Sequence, residues 1–184
     1  RGPSGRVLGN HLIFSADDKA NGTELWKTDG SPGGTVMITD INPGPEHSVL
    51  GSFFVYNNLL YFMAATGEQD AEPWVSDRTA EGTHLLKDIT PGGMPTRNLR
   101  FVIGNNGFLY FLLLDDGDAA PAALWKTAGT EASTSFIKTL NEGASSNSIY
   151  SFLTYQNKVY FWSHMDTDLL WVTDGTSEGT QIIF

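Results

Sequence analysis

The chain has 184 residues and a formal net charge of −10, with 21 acidic against 11 basic residues. That balance argues against a nucleic-acid partner and against an anionic membrane surface, since both need a basic footprint. It leaves solubility, cationic partners or bound metal ions. The absence of cysteine excludes disulfides, thiolate metal sites and a cysteine nucleophile. No apolar run reaches the roughly 18 residues of a membrane-spanning helix, so no direct membrane insertion is expected. The opening "RGPSGR" reads as a processed end rather than an initiator.

In chain order, "RVLGNHLIFSA" (6–16) reads as two β-strands about a Gly9-Asn10 turn, followed by an acidic loop, "DDKANGT" (17–23). "ELWKTDGSPGGT" (24–35) supplies a third strand, an Asp-Gly turn and a closing Thr before the fourth strand. The same parts then recur. "SFFVY" (52–56), Asn57-Asn58, "LLYFMA" (59–64), "ATGEQDA" (65–71), "EPWVS" (72–76) and "THLLKD" (83–88) make the second copy. "RFVIGNNGFLYFLLL" (100–114), with its turn at Asn105-Asn106-Gly107, "DDGDAAPA" (115–122) and the segment around Trp125 make the third. "SFLTYQNKVYFWS" (151–163), with Gln156-Asn157 at the turn, "HMDTD" (164–168), "LLWVTDGTSEGT" (169–180) and "TQIIF" (180–184) make the fourth.

Short runs rich in aromatic and β-branched residues, bounded by Asn, Gly and Asp, predict strands. Asn and Gly tolerate the positive φ of tight hairpins. Four-strand units of this length in tandem predict an all-β fold, a β-propeller of four blades of four antiparallel strands. The expected blades cover about 5–41, 51–90, 100–140 and 150–184 of a single domain. Trp26, Trp74, Trp125 and Trp171 recur at one place in each blade and are assigned to packing between blades. Asp29, Asp77 and Asp174 follow them and are read as turn residues, whose side chains bond backbone two residues on. Ala128 takes that place in the third copy.

"ELWKTDGSPGGT" and "LLWVTDGTSEGT" resemble the tandem repeats of large bacterial exported and surface proteins. The resemblance covers nearly the whole chain, is strongest in the first copy and is eroded in the third. It implies a propeller-like fold and an extracellular or cell-surface setting, and no particular chemistry. A looser similarity to the Asp-boxes of sialidase propellers implies a hairpin away from any catalytic centre.

Strand alternation puts the tight turns of each blade at one end and the longer, acidic loops at the other. Loops carry function more often than strands do. Two candidate sites follow. Asp17, Asp18, Asp115, Asp116 and Asp118 offer closely spaced oxygens for Ca²⁺, although without an EF-hand pattern. Trp162, the one tryptophan outside the repeat position, lies beside His164, Asp166 and Asp168 and could stack on a sugar; the plainer alternative is packing against a neighbouring blade. No HExxH, nucleophile elbow, phosphate loop or dinucleotide fingerprint occurs. The expectation is therefore a non-catalytic structural or protein-interaction module of a secreted or surface assembly, with other protein subunits as partners. The alternative is a carbohydrate-binding or Ca²⁺-dependent module using the acidic loops and binding surface glycans.

Overall fold

The computed structural model describes residues 5–48, 50–66, 71–91, 98–114, 122–140, 148–164 and 167–184. These residues form four four-stranded antiparallel sheets and no helix, an all-β architecture of propeller blades. Sheet one holds β1 (Gly5–Leu8), β2 (His11–Asp17), β3 (Thr23–Thr28) and β4 (Val36–Thr39). Sheet two holds β5 (Gly51–Tyr56), β6 (Leu59–Ala64), β7 (Glu72–Ser76) and β8 (His84–Leu85). Sheet three holds β9 (Asn98–Asn105), β10 (Phe108–Leu114), β11 (Ala122–Thr127) and β12 (Ser135–Leu140). Sheet four holds β13 (Ser148–Tyr155), β14 (Lys158–His164), β15 (Asp168–Thr173) and β16 (Gln181–Ile182). Each is a simple meander in which consecutive strands are neighbours.

The hairpin chemistry explains the register. Asn57 and Asn58 have φ of 48° and 57°, and Gln156 and Asn157 have 48° and 61°. Positive φ at both central residues matches the right-handed twist of the flanking strands. The third turn is tighter than its sequence suggested. Asn105 still pairs with Phe108, so the turn is Asn106-Gly107 alone.

The chain divides into two compact units, 1–95 and 96–184, each of two sheets. In the first unit Leu8, Ile13, Leu25 and Ile38 of sheet one pack on Phe53, Leu60 and Phe62 of sheet two, with Trp74 against them. In the second unit Tyr110, Leu112, Leu124 and Ile137 of sheet three pack on Ile149, Val159, Phe161 and Trp171 of sheet four. Period-2 alternation produces this division: one parity of each strand builds an aliphatic face, the other a Phe–Trp face. Each fully buried side chain of this size contributes about 1.5–3 kcal/mol. The innermost strands adjoin within each unit, β1 against β5 and β9 against β13.

Trp74 and Trp171 thus pack between two blades. Trp171 stacks on Phe161 at 5.9 Å with an interplanar angle of 5°, and its Nε1 donates to Ser163 Oγ at 3.0 Å. Trp125 stacks on Phe111 of its own sheet at 6.1 Å. The Nε1 groups of Trp125 and Trp26 are buried without a hydrogen-bond partner among the described residues.

The Asp turns share one construction. Asp29 Oδ1 accepts from Ser31 N (2.9 Å) and Ser31 Oγ (2.7 Å). Asp77 holds Thr79 in the same way, and Asp174 holds Thr176. The hydroxyl pairs Thr28–Thr35, Ser76–Thr83, Thr127–Thr134 and Thr173–Thr180 clasp the bases of the turns at 2.6–2.8 Å. A Cβ on Gly34, Gly82 or Gly179 would lie 2.0–2.1 Å from the nearby carboxylate oxygen, so glycine is the residue that fits beside the Asp. The third copy exchanges both members. Ala128 replaces the Asp and Ser133 the glycine. Ser133 Oγ now accepts from Ala128 N (3.0 Å) and Thr130 N (3.2 Å). The oxygen that organises the turn arrives from the other side of the loop.

Candidate functional site

The loop ends of sheets one and four carry the described candidate residues. In sheet one, Asp18 Oδ1 accepts from Ala20 N (2.9 Å) and Asn21 N (2.8 Å), and its Oδ2 from Asn21 Nδ2 (2.8 Å). Asp17 Oδ1 accepts from Lys19 N at 2.6 Å. These carboxylates close their own loop, in the manner of Asx turns. The backbone bond from Asn21, the largest of several such contacts, holds the Asp18 carboxyl below its usual range. Among the described residues no three His, Asp or Glu side chains come together as a metal cage. Asp115, Asp116 and Asp118 lie outside the described residues, as does Asp166.

Two buried carboxylates escaped the sequence reading. Glu24 is fully buried; it accepts from Ile41 N (2.9 Å) and Ser48 Oγ (2.6 Å). Glu72 occupies the same place in sheet two and accepts from Ile89 N (2.8 Å), Thr90 N (3.1 Å) and the Thr90 hydroxyl. Each ties the segment that follows its blade onto the start of the third strand. Beside Glu24, His47 Nδ1 accepts from Thr23 N at 2.9 Å, which secures the same segment. Desolvation raises both Glu carboxyls above their usual range, against the lowering effect of their hydrogen bonds. The signal was the Glu two places before Trp in "ELW" and "EPW"; Ala123 and Leu169 stand there in the other two copies.

Sheet four assembles a different kind of site. Trp162 and His164 share a strand face, opposite Phe161 and Ser163, which look into the core of their unit. Trp162 pairs across the sheet with Tyr150 on one side and Leu170 on the other, and His164 pairs with Asp168. Asp168 Oδ1 accepts a hydrogen bond from Tyr150 Oη at 2.9 Å and meets His164 Nδ1 at 2.8 Å. The Tyr150 ring therefore reaches from β13 across β14 to the carboxylate on β15. His164 and Asp168 are exposed, with half or more of each side chain open to solvent (50% and 62%), and Tyr150 and Trp162 are half-buried. The contacts with His164 first, then Tyr150, hold the Asp168 carboxyl below its usual range. The same bond raises the Tyr150 phenol.

Of the candidates, His164 and Asp168 are in contact, Trp162 lies on the same sheet face, and Tyr150 is an added member. Simple hairpin counting from Gln156-Asn157 would set Tyr150 opposite Ser163, on the other face. A register shift between Tyr150 and Leu153, with Ser151 at φ 54°, turns it to the Trp162 side. A one-residue slip moves a side chain to the opposite face.

No family model matches the chain, and no curated protein matches it. Solved structures do resemble it. An α-L-arabinofuranosidase from Clostridium thermocellum is 16% identical, with a TM-score of 0.41 over 98% of this chain and 70% of that one. An exo-β-1,3-galactanase from the same organism is 11% identical, with a TM-score of 0.46 over 100% of this chain and 48% of that one. A puromycin hydrolase is 12% identical, with a TM-score of 0.50 over 97% of this chain and 28% of that one. The chain spans between 28% and 70% of these proteins' lengths. At such identities the likeness extends to the fold.

The comparisons correct one expectation. Repetition without a catalytic motif pointed to a non-catalytic structural or protein-interaction module. Similar structures are named as an arabinofuranosidase, a galactanase and a puromycin hydrolase, all enzyme names. This kind of fold therefore gives no ground for reading the chain as non-enzymatic or as a protein-binding scaffold, because sites are grafted onto folds by side chains and loops.

Proposed function

We propose that this protein binds carbohydrate at the loop end of sheet four, with Trp162 and Tyr150 as aromatic surface and Asp168 and His164 as polar contacts. The carrying observation is the conjunction, at the loop end of one sheet face, of two half-buried paired aromatics and an exposed carboxylate oriented by two hydrogen-bonding side chains. Sugars present apolar C–H faces and rings of hydroxyls, so a site for them combines flat aromatic area with a few fixed polar groups. Asp168 is acceptor-only when ionised, and its second oxygen has no partner among the described residues. The extracytoplasmic setting implied by the repeat resemblance suits a glycan-directed role.

Titration of the purified chain with a panel of soluble oligosaccharides, followed by calorimetry, tests this reading. At least one should bind, and Trp162→Ala should weaken it tenfold or more, as expected for a loss of about 1.4 kcal/mol. The variant's melting temperature should stay within a few degrees of the parent, since Trp162 lies outside the buried core of its unit. Unchanged affinity in a folded Trp162→Ala protein would move the site elsewhere. Analysis of the same mixtures for cleaved sugar reports whether binding leads to hydrolysis.

A further inference from the structure

We infer that the glycan taken by this site carries positively charged amino groups, as unacetylated amino sugars do; the inference rests on the carbohydrate reading above. Three observations converge on a cationic ligand. The carboxylate of Asp168 is exposed and oriented through Oδ1 by Tyr150 and His164, and its other oxygen has no partner among the described residues. Trp162 and Tyr150, cross-strand neighbours on the same face, are half-buried aromatics, and a ring's negative quadrupole attracts ammonium groups. The whole chain carries a net charge of −10, a field that concentrates cations and repels anions at its surface.

The same features disfavour the alternatives. An anionic sugar would meet the Asp168 carboxylate first; the described strands of sheet four bring no Lys or Arg to this loop end, and the nearby Arg100 of β9 is engaged with the Ile149 carbonyl at 3.2 Å. The one lysine within its strands, Lys158, begins β14 at the opposite, hairpin end. A neutral sugar could donate hydroxyls to Asp168 and lay a C–H face on the rings, but it would gain neither a cation–π contact nor anything from the long-range field. An ammonium group uses all three.

The test compares glucosamine tetramer, its fully N-acetylated counterpart and a galacturonic acid tetramer against the full chain at pH 7.5 and low salt. The glucosamine tetramer should bind about tenfold more tightly than the acetylated one, the scale of one cation–π contact beside a charge pair. The preference should shrink as salt rises. Asp168→Asn should abolish the preference, and Trp162→Ala should weaken both ligands. Equal or tighter binding of the acetylated or uronic acid tetramer would overturn the inference while leaving the carbohydrate reading intact. Failure of every oligosaccharide in the wider panel to bind would overturn both.

Discussion

Glu72→Ala should lower the melting temperature by about 10 °C, corresponding to a loss of about 2–4 kcal/mol. The carboxylate is buried and satisfies two backbone N–H groups and the Thr90 hydroxyl; an alanine leaves those donors orphaned away from water. Glu72→Gln keeps one acceptor oxygen and should cost less than half as much. The pH dependence separates this role from simple packing. Burial raises the Glu24 and Glu72 carboxyls above 4.5, so the folded chain holds those protons more tightly than the unfolded chain does. Their contribution is fully present below pH 4.5 and is lost as pH rises through the folded value. The Asp turns act in the opposite sense. Hydrogen bonds from Thr79 and Thr176 hold Asp77 and Asp174 below 3.8, so their contribution is present above pH 3.8 and is lost on further acidification. Thermal melts across pH should peak in the mildly acidic band between these limits. In the Glu24→Gln/Glu72→Gln double variant the decline on the alkaline side should flatten. A double variant with an unchanged pH profile would show that these carboxyls are not the titrating groups.

The turn in the fourth blade should show a reciprocal exchange. Gly179→Ser alone places a Cβ about 2.1 Å from Asp174 Oδ1 and should destabilise the chain by about 2 kcal/mol. Asp174→Ala alone removes two short hydrogen bonds and should cost about 1 kcal/mol, the exposed carboxylate being well solvated in either state. The double variant reproduces the Ala128–Ser133 arrangement that the third blade already uses. It should recover most of the loss, with a coupling energy of about 2 kcal/mol by chemical denaturation. Additive losses in the double variant would mean that the third turn depends on neighbours outside its own loop.

The blades were legible in the sequence because their signals are local. Asn57-Asn58 and Gln156-Asn157 mark hairpins by their own backbone preferences, and short runs rich in apolar and aromatic residues, "LLYFMA" and "KVYFWS", mark the strands beside them. Strand starts differ by one or two residues: β5 begins at Gly51 where the segment "SFFVY" starts at 52, and β9 at Asn98 where "RFVIGNN" starts at 100. The tight third turn was missed by one residue because Asn105 carries the composition of a turn while its backbone stays in the ladder. The site was half legible. Trp162, His164 and Asp168 stand out by position in one strand and its loop. Tyr150 does not, because only the bulge at Ser151 puts it on their face, and a bulge leaves no clear mark in one sequence. Asp17 and Asp18 looked like cation ligands because composition shows how many oxygens a loop has. It does not show that the loop's own amides donate to Asp17 Oδ1 and Asp18 Oδ1.

The central claim is that sugar binds on the Tyr150–Trp162–His164–Asp168 face of sheet four. Its most direct test is a nuclear magnetic resonance titration of the full chain, isotopically labelled, with the tightest oligosaccharide from the panel. Saturable shifts are expected at the Trp162 indole, the His164 ring and the backbone of residues 148–150 and 167–170, with the core signals of Phe161 and Trp171 nearly still. Shifts centred on the hairpin ends, or on the first unit, would contradict it.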